Sequence, residues 1–118
     1  MSYPFECGDR TVWDAGYHSG QLYASLVQGA AAFLDVPSGL TPTPSGGCEV
    51  DPSALLRFTD RLYDLYASTN NEVLLSLAHG PLITSLVLVD RTGGRIALRP
   101  EHEVTLGQEK SAFARSMA

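Results

Sequence analysis

Lysine and cysteine are nearly missing from this chain, and charge of either sign is sparse. Lys110 is the single lysine, so 8 basic residues stand against 13 acidic ones and the net charge is −5. That balance lacks the basic footprint of a phosphate-backbone binder, which sets nucleic acid aside as a partner. Two cysteines, Cys7 and Cys48, are too few for a disulfide framework and are not spaced as C-x-x-C. Whether they pair stays open, because a bond needs their Cα atoms within about 7 Å; otherwise they read as small, reduced, buried side chains of a cytoplasmic protein. No apolar run reaches the ~18 residues of a membrane span, and Met1-Ser2-Tyr3-Pro4 has no basic-then-apolar leader, so a soluble chain with no membrane partner is expected.

Familiar chemical motifs are absent too. There is no G-x-x-x-x-G-K-[ST] and no G-x-G-x-x-G, hence no phosphate cradle. His102-Glu103 opens like H-E-x-x-H, but Leu106 stands where the second zinc ligand belongs. Gly16-Tyr17-His18-Ser19-Gly20 places His18 where a nucleophile elbow needs serine. No metal and no cofactor is expected, and whether the chain is an enzyme is left open by its motifs.

What is present suits one domain. At 118 residues, 44% apolar and 18% charged, a chain can bury roughly two-thirds of its unfolded surface without metals or disulfides. Residues 17–34 carry Leu22, Tyr23, Leu26, Val27, Ala30, Phe33 and Leu34 at helical spacing, with His18, Gln21, Ser25 and Gln28 as a polar face. Residues 35–47 are rich in Pro, Ser and Gly and read as a loop. Asp51-Pro52 is the clearest helix start, an N-cap followed by proline at the first helical position. Leu55, Phe58, Leu62, Leu65 and Tyr66 then form the buried stripe of a helix over 52–69. The run 72–90 is apolar nearly all round and is assigned as a third helix, with 86–89 as a strand the alternative. Gly80-Pro81 is expected to kink or split it. Alternating apolar residues about Pro100 suggest a hairpin over 95–106, with an extended tail the alternative, and 107–118 is expected to fray. The expected fold is mainly α, a three-helix domain with a small accessory β-sheet from 3–12, 47–50 and 95–106. An α+β fold is the alternative.

Candidate site residues are few. His79 precedes the Gly80-Pro81 break in the most apolar helix, where an imidazole would accept a proton or bond a carbonyl freed by Pro81. His18 lies near Glu6, Asp9 and Asp14, a possible His/carboxylate site. Trp13, Tyr17, Tyr63 and Tyr66 are core or rim aromatics, or the walls of a cleft for a flat organic ligand.

The run Gly47-Cys48-Glu49-Val50-Asp51-Pro52 with Leu55, Phe58 and Leu62, the loop Val36-Pro37-Ser38-Gly39-Leu40 and the turn Gly8-Asp9-Arg10-Thr11-Val12-Trp13 resemble small proteins of unknown function from Streptomyces and related actinobacteria. Arginine in place of lysine, with abundant Ala, Gly and Pro, points to the same GC-rich source. The resemblance supplies no activity. A fainter similarity joins Val50-Asp51-Pro52 and its helix to small helical secretion-associated proteins of actinobacteria, whose W-x-G signature this chain lacks. The function expected is a non-catalytic accessory or interaction protein acting through a helical face, as a homodimer or with a protein partner, because three helices must cover the apolar third one. The alternative is a small enzyme or binder of an organic metabolite in a natural-product pathway.

Overall fold

The computed structural model describes residues 1–118 as an α+β fold. Strand β1 (Ser2–Cys7) turns at Gly8 into β2 (Arg10–Gly16), which runs straight into helix α1 (Tyr17–Leu34). A second hairpin, β3 (Leu40–Thr43) and β4 (Gly47–Val50), leads into α2 (Pro52–Ser68) and α3 (Glu72–Arg91). The chain closes with a single turn, α4 (Pro100–Glu103), and α5 (Thr105–Ser116). The sheet has four strands in the order β2-β1-β4-β3. Both hairpins are antiparallel, and the seam between them is parallel, pairing Phe5 with Cys48 and Glu6 with Glu49. Pro4 has no N–H to offer that seam, and Gly47 is required beside it, because a Cβ there would stand 2.5 Å from the Pro4 carbonyl oxygen.

The three long helices form where the sequence places them. Asp51 caps α2, its side-chain oxygen accepting from the backbone N–H of Ser53 at 3.1 Å and of Ala54 at 3.3 Å. Asn71 does the same for α3 through Leu74 N–H at 3.0 Å. Phe5, Leu55, Phe58, Leu82 and Leu88 are fully enclosed between sheet and helices, each contributing about 1.5–3 kcal/mol by leaving water.

Three expectations need correction. The 35–47 segment is not all loop, because β3 lies within it. No hairpin forms over 95–106: Pro100 sits at the first position of α4 rather than in a strand turn, the place where its missing N–H is harmless. The 107–118 segment is helix α5, held down by Leu106 and Met117 in the core. Arg91 fastens its end, donating to the carbonyls of Met117 at 3.0 Å and Ala114 at 3.1 Å.

Helix α3 is a single helix with Pro81 inside it, and 86–89 is helical. Every residue from Pro81 to Val89 is buried, with α2 on one side and α5 on the other. Its composition and length would suit a membrane span, yet this is the packing of a core helix. From Pro81 to Val89 the surplus apolar surface that the sequence assigns to α3 is therefore covered by α2 and α5. Unpartnered apolar side chains remain on the first turns of α3 and on α1.

Candidate functional site

Helix α1 carries two apolar stripes. Gly20, Tyr23, Ala24, Val27 and Ala31 face inward and are buried. Leu22, Leu26 and Phe33 form a second stripe that faces outward, 61%, 47% and 71% exposed. No Asp, Glu, Lys or Arg occurs anywhere between Tyr17 and Leu34. Across from this stripe, Val73 and Leu77 of α3 are also exposed. Between the two helices runs a groove of about 300 Å³ walled by Leu26, Gly29, Phe33, Leu74 and Leu77, with Leu62 and Leu65 of α2 as its floor. Past Leu26 and Pro81 it meets a second hollow of about 390 Å³, bounded by Trp13, Leu22, Tyr23, Phe113 and Met117. Pro81, on the same wall, has no N–H to offer the Leu77 carbonyl one turn earlier.

The titratable candidates are dispersed. His18 is exposed at the start of α1, edge-on to Tyr17 with ring centroids 5.6 Å apart. No ion pair joins it to Glu6, Asp9 or Asp14, which lie along the β1–β2 hairpin. No three His, Cys, Asp or Glu side chains come together as a metal site. Trp13 stacks on Phe5 at 5.0 Å and meets Tyr23 edge-on, which makes it a rim aromatic of the core and one wall of the second hollow.

His79 differs from expectation. Its side chain is 42% exposed and its Nε2 lies 2.6 Å from Oε2 of Glu109 on α5. The imidazole thus clips α5 to α3: from Pro81 onward α3 is buried, while His79 and Gly80 before it stay on the rim. Tyr63 and Tyr66 gather with His102, the histidine of the His102-Glu103 pair that lacks the second ligand of a zinc motif. The Tyr63 hydroxyl accepts from Arg99 N–H at 2.8 Å, so its own hydrogen is free for Nδ1 of His102, also at 2.8 Å. Tyr66 lies between the two imidazoles, 5.8 Å from the His102 ring and 6.4 Å from that of His79. Burial raises its phenol pKa, and the charges of Glu109 and Tyr63 add to that. These groups are engaged with one another, and their arrangement ties α4 and α5 onto α2 and α3.

Both cysteines are free, and burial pushes the Cys48 thiol up, partly offset by the Tyr3 hydroxyl at 3.5 Å. Tyr3 itself is pushed up to about 12, chiefly by burial. Tyr23 is raised for the same reason, and its hydroxyl is satisfied by Ser85 at 2.7 Å inside the core.

The outward stripe of α1 was hidden in the sequence by its overlap with the inward one. Its signal was the total lack of charge over a helix that has two faces to solvate.

No curated protein and no solved structure matches this chain. A family model spans it from end to end, over residues 1–118, and the chain belongs to that family of unknown function, DUF6086.

Proposed function

We propose that the protein is a non-catalytic accessory protein that engages another protein through the outer face of α1 and the groove between α1 and α3. One observation carries this reading: a helix without a charged residue exposes Leu22, Leu26 and Phe33 beside Leu77 and Val73. Solvated helix faces are ordinarily charged, and contiguous apolar patches on monomers mark interaction surfaces. The dispersed titratable groups and the engaged His79–Glu109 and Tyr63–His102 pairs support a structural role for those residues. Two free thiols fit a reducing, cytoplasmic setting, and arginine in place of lysine fits an actinobacterial source.

A second reading, a binder or enzyme for an organic metabolite of a natural-product pathway, is favoured by the roughly 390 Å³ hollow edged by Trp13 and Tyr23, within the size range of ligand clefts. Capture from the native host with wild-type protein and Leu26→Asp, analysed for proteins and small molecules, separates the two. The interaction reading expects a bound protein, a second copy included, that Leu26→Asp loses while its circular dichroism stays native. A retained metabolite with no protein would replace that reading with the second.

A further inference from the structure

One glycine on this surface has no contact within the protomer that requires it. Gly29 lies inside α1, and beyond its chain neighbours and own helix backbone a Cβ built on it would meet no heavy atom within 4 Å. It has no positive φ and, unlike Gly80 of α3, it precedes no proline, whose ring disfavours a Cβ on the helical residue before it. Gly20, on the inner side of α1, shows the contrast: a Cβ there would stand 2.8 Å from Tyr3. Glycine inside a helix is less stable than alanine, so an unneeded one is explained by something outside the chain that comes close.

We propose that this something is a second copy of the same chain, docked through α1 in antiparallel orientation about a two-fold axis. The proposal rests on the reading of the α1 face as an interaction surface and names its partner. The stripe Leu22, Leu26, Gly29, Phe33 steps by four, three and four residues, which keeps it on one side of the helix. A two-fold axis crossing α1 between Val27 and Gln28 sets Leu22 against Phe33 of the second copy and Leu26 against its Gly29. Each large side chain then meets another or enters the space over a glycine. Parallel docking would place glycine over glycine and leave that space empty.

Charge selects the same orientation. The N-terminus of α1 has no side-chain cap and no acidic residue in its first turn, and His18 is exposed beside it. At the other end stands the exposed carboxylate of Asp35, the C-cap residue. Antiparallel docking brings each Asp35 to the N-terminal end of the opposite α1, within a turn of its His18, where the helix dipole favours an anion. Parallel docking stacks Asp35 on Asp35. For a chain of net charge −5, a face free of charge is also where two copies repel least.

The area fits a reversible dimer. An 18-residue helix is about 27 Å long. With its neighbour ~10 Å away, it offers on the order of 500 Å² per copy, near the ~1,000 Å² total at which specific interfaces begin.

The test uses full-length protein and sedimentation velocity across the micromolar range. Wild type should pass from monomer to dimer. Leu22→Lys alone and Phe33→Glu alone should each weaken association at least about tenfold, with native circular dichroism. Mixing the two variants should recover a heterodimer, because Lys at 22 of one copy then faces Glu at 33 of the other. Wild type that stays monomeric overturns the proposal and leaves the interaction reading to the capture experiment. A dimer indifferent to both substitutions overturns the proposal and the α1 reading together. Weakening without recovery on mixing overturns the antiparallel pairing.

Discussion

Replacing Gly29 with alanine makes the protomer and its association respond in opposite directions. The added methyl enters open space on a helical backbone, so within the protomer it removes only the helical disadvantage of glycine, about 1 kcal/mol. For a domain of this size that corresponds to a rise in Tm of roughly 4 °C. The measurement is thermal unfolding by circular dichroism in a sample dilute enough to be monomeric. Gly20→Ala is the matched control, the same chemical change on the same helix. There the methyl would stand 2.8 Å from Cβ and Cδ1 of Tyr3 and 3.0 Å from Cβ of Ala15. Two of those three atoms are Cβ atoms tied directly to the backbone. Overpacking of this kind costs about 1–3 kcal/mol, which outweighs the propensity gain and lowers Tm. At concentrations where wild type associates, the advantage of Gly29→Ala should shrink, because the methyl occupies the space meant for Leu26 of the second copy. A dilute Gly29→Ala sample no more stable than wild type would refute the claim that this glycine serves nothing inside the protomer.

Four further outcomes follow from contacts already described. Asp51→Ala should cost about 1 kcal/mol in urea unfolding, since two N–H groups at the start of α2 lose their acceptor. Tyr23→Phe should cost about 1–2 kcal/mol, because it leaves the fully buried Ser85 hydroxyl without its partner. His79→Gln should change stability by less than about 0.5 kcal/mol, as expected for a half-exposed pair with Glu109; a larger loss would show His79 to be tied into the core. Stability should hold below pH 9. It should begin to fall as the unfolded Cys48 thiol, with its ordinary value of 9.0, gives up a proton that the folded one retains, and fall further as pH rises from 10 towards 12. Over that window the unfolded Tyr3 phenol, with its ordinary value of 10.0, gives up its proton while the folded one retains it. Denaturant midpoints measured along that range check it.

Local signals carried the helices and failed where tertiary contacts decide. The caps at Asp51 and Asn71 and the stripes behind them are written in consecutive residues, and the helices at 17–34, 52–69 and 72–90 lie within a residue or two of α1, α2 and α3. The C-terminal third misleads because Ile96, Leu98, Val104 and Leu106 alternate as a strand would. Ile96 and Leu106 do go to the core, but through a helical turn started by Pro100. Helix α5, at 12 residues, is too short to be stable alone and is held by Arg91, a residue of α3. The same distance hides the side-chain pairs. His79 meets Glu109 thirty positions away, and Tyr63 meets His102 across 39. Spacing along the chain announces neither pairing. The outer stripe of α1 was readable in principle, since counting charges over 17–34 gives none.

The parallel seam between β1 and β4 has a consequence for synthesis. The β1–β2 hairpin closes within the first sixteen residues, and the β3–β4 hairpin is equally local, but the seam waits until Cys48 and Glu49 exist. Until then the edge of β1 that carries Phe5 stands open on the nascent chain, with α1 made and nothing yet to close the sheet beside it. An unpaired edge next to buried aromatics is where a growing chain can pair with a neighbour instead of itself. The β1 edge is thus vulnerable until Val50 has been translated, and the pace of the ribosome through the Pro-rich stretch before β4 sets how long that exposure lasts.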